Sequence, residues 1–133
     1  MTQLSEQRGK PSILLVEDSP AQAMRFQTSL ETNNCFVQWE ETGEAGVEAA
    51  LKRRFDLIIL DIELPGINGF EVCRRLKSFP EMEDVPIVML TTRDAAEDAL
   101  TGLSAGAIDY IPKDPFAEMV LIETIKQMGL YSG

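Results

Sequence analysis

The segment DLIILDIELPGINGFEVCRRLK, residues 56–77, holds a strand, a turn and a helix in one line. Leu57-Ile58-Ile59-Leu60 is an unbroken apolar run of strand length that ends in a carboxylate, Asp61. A run apolar at every position fits a strand covered on both faces, as in a parallel sheet. Gly66 and Gly69 mark the turn that follows, and Phe70, Cys73 and Leu76 then recur at helical spacing.

The same pattern repeats outward in both directions. Ser12-Ile13-Leu14-Leu15-Val16 leads into Glu17-Asp18, Pro86-Ile87-Val88-Met89-Leu90 into Thr91, and Asp109-Tyr110-Ile111-Pro112 into Lys113. Val37-Gln38-Trp39 reads as a short strand near an edge. Ser19-Pro20-Ala21-Gln22 reads as a capping box with proline at the first helical position, followed by Ala23, Phe26 and Leu30 on one face. Thr42 caps a helix expected to bury Val47, Ala50 and Leu51. Asp94-Ala95-Ala96-Glu97 opens another, which ends near Gly106. The last is expected to start at Asp114-Pro115 and to carry Phe116, Met119, Ile122 and Ile125. Strands alternating with helices under right-handed crossovers predict an α/β fold, a doubly wound parallel sheet of five strands with five helices.

In such a sheet the ligand site lies beyond the carboxyl ends of the strands. Glu17, Asp18, Asp61, Thr91 and Lys113 would converge there. Each alone has an ordinary explanation: a helix cap for Asp18, a satisfied backbone group for Thr91, a snorkelling surface lysine for Lys113. Together they would suit a divalent cation plus a phosphoryl group. Clustered carboxylates raise one another's pKa or recruit a cation. Oxygen-only ligands select a hard ion, Mg2+ above all.

Composition narrows the partners. At 133 residues the chain has the length of one domain, and its net charge of -10 opposes binding to nucleic acid or to an acidic membrane. Cys35 and Cys73 are too few and too separate for a disulfide framework, which suits reduced thiols in the cytoplasm. Residues 1–10 read as a polar, flexible tail, and 11–133 as the domain. No signal-peptide pattern or membrane-length run appears, so the expected location is cytoplasmic.

The segments LLVED at 14–18, DLIILDIELPGINGFEVCRRLK at 56–77, PIVMLTTRD at 86–94 and AGAIDYIPKD at 105–114 resemble the receiver domain of response regulators, the phosphoacceptor module of two-component signalling. The resemblance covers roughly residues 12–128 and implies a flavodoxin-like sheet of order 2-1-3-4-5. It implies that Asp61 accepts a phosphoryl group from a sensor histidine kinase or histidine phosphotransfer protein. It also implies that Asp18, Asp61 and the backbone carbonyl of Glu63 bind Mg2+, with Glu17 acting through water. Thr91 resembles the switch hydroxyl and Tyr110 the switch aromatic, which together would alter the surface of residues 94–128. Such a module promotes only its own phosphorylation and dephosphorylation and is not otherwise an enzyme.

Asp114 stands where the family usually has proline directly after the lysine. The Lys113–Asp114 bond is therefore expected to be trans, with Asp114 capping the last helix. Glu63, Thr92 and Arg93 occupy positions that in this family border the path of the hydrolytic water. A Glu63–Arg93 pair across that mouth would slow loss of the phosphoryl group.

Only Gly129 to Gly133 follow the last helix, which suggests a single-domain regulator acting on a downstream protein, with a homodimer through the last two helices as an option. A phosphorylation-independent pseudo-receiver is the alternative that the full set of site residues opposes. An aspartyl-phosphate hydrolase of the haloacid dehalogenase type would place its nucleophile after the first strand, in an Asp-x-Asp motif. A flavodoxin-like cofactor binder is opposed by the acidic turn Glu17-Asp18-Ser19-Pro20, which would repel a flavin phosphate.

Overall fold

A computed structural model describes residues 10–91 and 96–130. Its strands are β1 (Ser12–Val16), β2 (Phe36–Glu40), β3 (Leu57–Asp61), β4 (Ile87–Thr91) and β5 (Asp109–Pro112). They form one five-stranded sheet in the order β2-β1-β3-β4-β5, parallel at each pairing. The helices are α1 (Pro20–Thr32), α2 (Gly43–Lys52), α3 (Gly69–Lys77), α4 (Ala96–Ala105) and α5 (Ala117–Gln127), with a 3-10 turn at Pro80–Met82.

Strand residues alternate between two cores. Leu14, Val16, Ile58, Leu60, Ile87 and Met89 pack with α2, α3 and the end of α4. Ile13, Leu15, Leu57, Ile59, Val88 and Leu90 pack with α1 and α5. Every residue of β3 and β4 is buried, as the unbroken apolar runs require when helices cover both faces. Edge strand β2 is only partly covered, in keeping with its mixed composition.

The helix starts follow capping chemistry. Ser19, Thr42 and Asn68 each accept a backbone N–H of the first turn, from Gln22, Ala45 and Glu71. The capping box at Ser19 is only half formed. Ser19 N–H donates to Glu17 Oε2 at 3.1 Å, a nearby charged acceptor, and Gln22 Oε1 is buried without a hydrogen bond. Gly106 follows α4 with φ of +114°, the left-handed geometry that a helix-ending glycine supplies without strain.

Three apolar residues face the other way from expectation. Leu51 is 41% exposed, because α2 turns Gly46, Ala49 and Ala50 toward the sheet. Phe116 and Met119 are 63% and 68% exposed. Asp114 accepts from Phe116 N–H through Oδ1 and from Ala117 N–H through its carbonyl, so a turn precedes the helix and α5 starts at Ala117. Its buried row is then Ala117, Leu121, Ile122 and Ile125. Residues 1–9 of the expected tail and the start of the capping box at Asp94 lie outside the described residues.

Candidate functional site

Four strand ends meet at the carboxyl edge of the sheet. Just past β1, Glu17 is anchored to the edge strand by its N–H, which donates to the Glu40 carbonyl at 3.1 Å. Asp61 closes β3, Thr91 closes β4, and Lys113 extends β5 by donating its N–H to the Thr91 carbonyl at 2.6 Å. Glu17, Asp61 and Thr91 are the charged or polar residues buried among those described, at 1%, 2% and 0% exposure. Burying two carboxylates is costly unless something balances them.

Lys113 supplies part of the balance. Its Nζ lies 2.6 Å from Glu17 Oε1 and 3.1 Å from Asp61 Oδ2, and its side chain is 5% exposed. The other Asp61 oxygen, Oδ1, accepts the Glu63 N–H at 3.1 Å. Asp18 is exposed at the rim, yet carboxylate oxygens of Glu17, Asp18 and Asp61 all lie within 4.8 Å of one another.

The charges do not cancel. Burial, followed by the charge of Glu17, pushes the Asp61 carboxyl up to about 7, against the opposing pull of Lys113 and the Glu63 N–H. Burial works against the Lys113 ammonium, but the Glu17 hydrogen bond and the Asp61 charge together hold its pKa above the ordinary value. Three carboxylates against one ammonium, with only oxygen donors, fit a hard divalent cation. Asp61 is thus a buried nucleophile candidate beside the Lys113 ammonium and a surplus of acidic oxygens.

The local backbone is built for this approach. Gly69 opens α3 so close to the end of β3 that an added Cβ would lie 2.5 Å from the Asp61 carbonyl oxygen. Any side chain there would push the helix away from the site. Tyr110 is half-buried and packs against the core on the α2–α4 side of the sheet. Glu63 is exposed, while Thr92 and Arg93 lie outside the described residues. No cis peptide occurs among the described residues, in agreement with a trans Lys113–Asp114 bond.

Two contacts carry no local signal in the sequence. Arg25 on α1 donates to the Asp114 carbonyl at 3.1 Å and pairs with Glu118 on α5, bracing the turn that follows Lys113. Trp39 on β2 donates its indole N–H to the Glu17 carbonyl at 2.7 Å. Both join residues far apart in the chain, where periodicity and capping patterns are silent.

The family model of the response regulator receiver domain matches residues 13–126. Protein PilH of Pseudomonas aeruginosa is 36% identical over 113 residues, which span 85% of this chain and 93% of that protein. Response regulator ArlR of Staphylococcus haemolyticus is 43% identical over 105 residues, spanning 79% of this chain and 46% of ArlR. The chain spans about half the length of several such curated relatives, among them transcriptional regulators. Among solved structures, the chemotaxis protein CheY4 of Vibrio cholerae superposes with a TM-score of 0.83 at 29% identity, covering 89% of this chain and 98% of its own. None of the described helices is long and apolar enough to cross a membrane. With the family's fold, its strand order and an acidic cluster at the expected edge, the chain belongs to the response regulator receiver domains of two-component systems.

Proposed function

We propose that Asp61 is the phosphoacceptor of this receiver and takes its phosphoryl group from a histidine kinase or a histidine phosphotransfer protein. The observation that carries this reading is the placement of one buried carboxylate, Asp61, beside the Lys113 ammonium and within 4.8 Å of the carboxylates of Glu17 and Asp18. An oxygen of ionised Asp61 forms a bond to phosphorus as the phosphorus–nitrogen bond of the donor breaks, and the departing imidazole takes up a proton. Lys113 offsets negative charge on Asp61 and on the incoming phosphoryl oxygens, so that neither repels the other.

Asp18, Asp61 and the Glu63 carbonyl would hold Mg2+, with Glu17 acting through water. Bound there, the ion would neutralise phosphoryl oxygens during transfer. Thr91, buried at the end of β4, would bond a phosphoryl oxygen through its hydroxyl, and Tyr110 would follow by repacking. The readout surface would be α4, β5 and α5. It already exposes Leu100, Leu103, Ile108, Phe116, Met119 and Val120, a run of apolar side chains suited to a protein partner.

Intact mass after incubation with acetyl phosphate tests the reading. One phosphoryl adduct is expected, dependent on Mg2+ and absent from Asp61→Asn. An adduct that persists in Asp61→Asn would place the acceptor elsewhere. No adduct from either acetyl phosphate or a phosphorylated histidine donor, with the fold intact, would favour a pseudo-receiver.

A further inference from the structure

The peptide groups flanking Glu17 are held from one side by edge strand β2. Its N–H donates to the Glu40 carbonyl at 3.1 Å, and its carbonyl accepts the Trp39 indole N–H at 2.7 Å. That carbonyl belongs to the peptide joining Glu17 to Asp18, the two acidic residues at the end of β1. The β1–β3 pairing runs only as far as Val16, opposite Leu60. Asp18 is exposed, and the direction of its carboxylate follows the rotation of the peptide before it. The indole fixes that rotation.

The rest of Trp39 gives the anchor a firm base. The residue is half-buried, packs against the α1–α5 core, and lies in register with Leu15 of the neighbouring strand β1. Its outer side, with Pro20 and Met24, lines a shallow groove of about 310 Å3. A large ring packed on that core has little freedom, which keeps its N–H aimed at the Glu17 carbonyl. Tryptophan N–H groups usually find a partner when covered. Here the partner is the peptide between two candidate ligand side chains.

We propose that Trp39 is a positioning residue for the acidic pair Glu17-Asp18, preordering it for a divalent cation, and that its indole senses loading of the site. The proposal rests on the reading above that these carboxylates hold Mg2+. Preordering lowers the conformational cost of binding and so raises affinity without adding a ligand. Trp39 is the single tryptophan in the sequence, so indole emission reports on the surroundings of this one residue.

Isothermal titration with MgCl2 of the chain, of Trp39→Phe and of a variant carrying the benzothienyl isostere at position 39 tests it. The isostere keeps the ring's shape and puts sulfur in place of N–H. Both variants are expected to bind Mg2+ about fivefold more weakly, the size of one lost hydrogen bond. In the unaltered chain, Trp39 emission is expected to change with the midpoint of the titration, and Asp18→Asn should suppress that change. If the isostere binds as tightly as the parent, the N–H has no positioning role and the proposal is wrong, even where Trp39→Phe melts early. An emission that ignores Mg2+ during measurable binding overturns the sensing half. If the parent binds no divalent cation, the metal reading itself fails and this inference goes with it.

Discussion

Lys113 at the carboxyl edge of the sheet and Lys77 at the amino edge each set an ammonium among oxygen atoms, but the oxygens differ. Lys77 Nζ donates to the carbonyls of Met82, Glu83 and Val85 at 3.0, 3.2 and 2.6 Å, closing the turn that delivers the chain into β4. Its stem runs so close to Gly106 that a Cβ there would meet Lys77 Cγ at 2.7 Å, so the same side chain also seats the end of α4. Lys113 faces two carboxylates, Glu17 and Asp61, with a third at the rim. Carbonyl dipoles are satisfied once bonded and carry no net charge. Carboxylates keep a charge that must still be balanced and a proton that can still be exchanged. One lysine therefore finishes a fold, and the other leaves chemistry undone.

The sharpest way to break this comparison is to remove each ammonium in turn. Lys113→Met should slow phosphorylation by acetyl phosphate by about 100-fold or more, the usual effect of deleting one preorganised electrostatic partner. Lys77→Met should leave that rate within about twofold while lowering the melting temperature, because three carbonyls lose a charge-assisted partner. Mass time courses beside thermal melts separate the two. Equal losses of phosphorylation would mean that the amino-edge turn also shapes the site.

Next in size is a dependence of stability on pH. The Asp61 carboxyl is raised from 3.8 to about 7, first by burial and then by the Glu17 charge. Between those values the folded protein keeps a proton that the unfolded chain has released. Stability must therefore fall as pH rises through this window and level off above it. From about pH 5 to about pH 7 the loss should reach about 2–3 kcal/mol, near the limit for a single proton. Urea titrations in EDTA would measure it, and Asp61→Asn should flatten the slope. Added Mg2+ should flatten it too, since a cation favours the ionised carboxylate and its binding displaces the proton. The raised pKa of Lys113 acts far above this range and leaves the window untouched. A wild-type slope equal to that of Asp61→Asn would show that Asp61 is already ionised in the empty site.

The parts of this site that could be read from the chain are those set by strand ends. An apolar run fixes where a parallel strand stops, and the next residue must sit at the ligand edge, as Asp61, Thr91 and Lys113 do. Helix faces were harder to read. Phe116, Met119, Ile122 and Ile125 recur every third residue, and such a row drifts about 60° per step around a helix of 3.6 residues per turn. The buried row runs instead through Ala117, Leu121 and Ile125, in steps of four, and the turn at Asp114 sets its phase. Contacts between distant segments left no trace either. Nothing local to Trp39 points toward Glu17, and nothing local to Arg25 points toward Asp114.

The Arg25 contact gives the smallest expected effect and the finest test of how Lys113 is held. Arg25 bonds the Asp114 carbonyl and pairs with Glu118, tying α1 to both the turn after Lys113 and the first turn of α5. The Glu118 hydrogen bond holds the Arg25 guanidinium pKa above its ordinary value, so the brace stays charged at any working pH. The pair is about one-third exposed, which limits its worth to stability to under about 1 kcal/mol. Its larger use is geometric. The Lys113–Asp114 peptide is trans and has no proline ring to stiffen it, and the Arg25 bond to the very next carbonyl restrains the chain in its place. Arg25→Gln should therefore slow phosphorylation of Asp61 about threefold, within the range of one neutralised hydrogen bond, with little change in melting temperature. Glu118→Gln should do less, because the bond to the Asp114 carbonyl survives it. Were Glu118→Gln to slow the reaction as much as Arg25→Gln, the ion pair rather than the carbonyl contact would be what restrains Lys113.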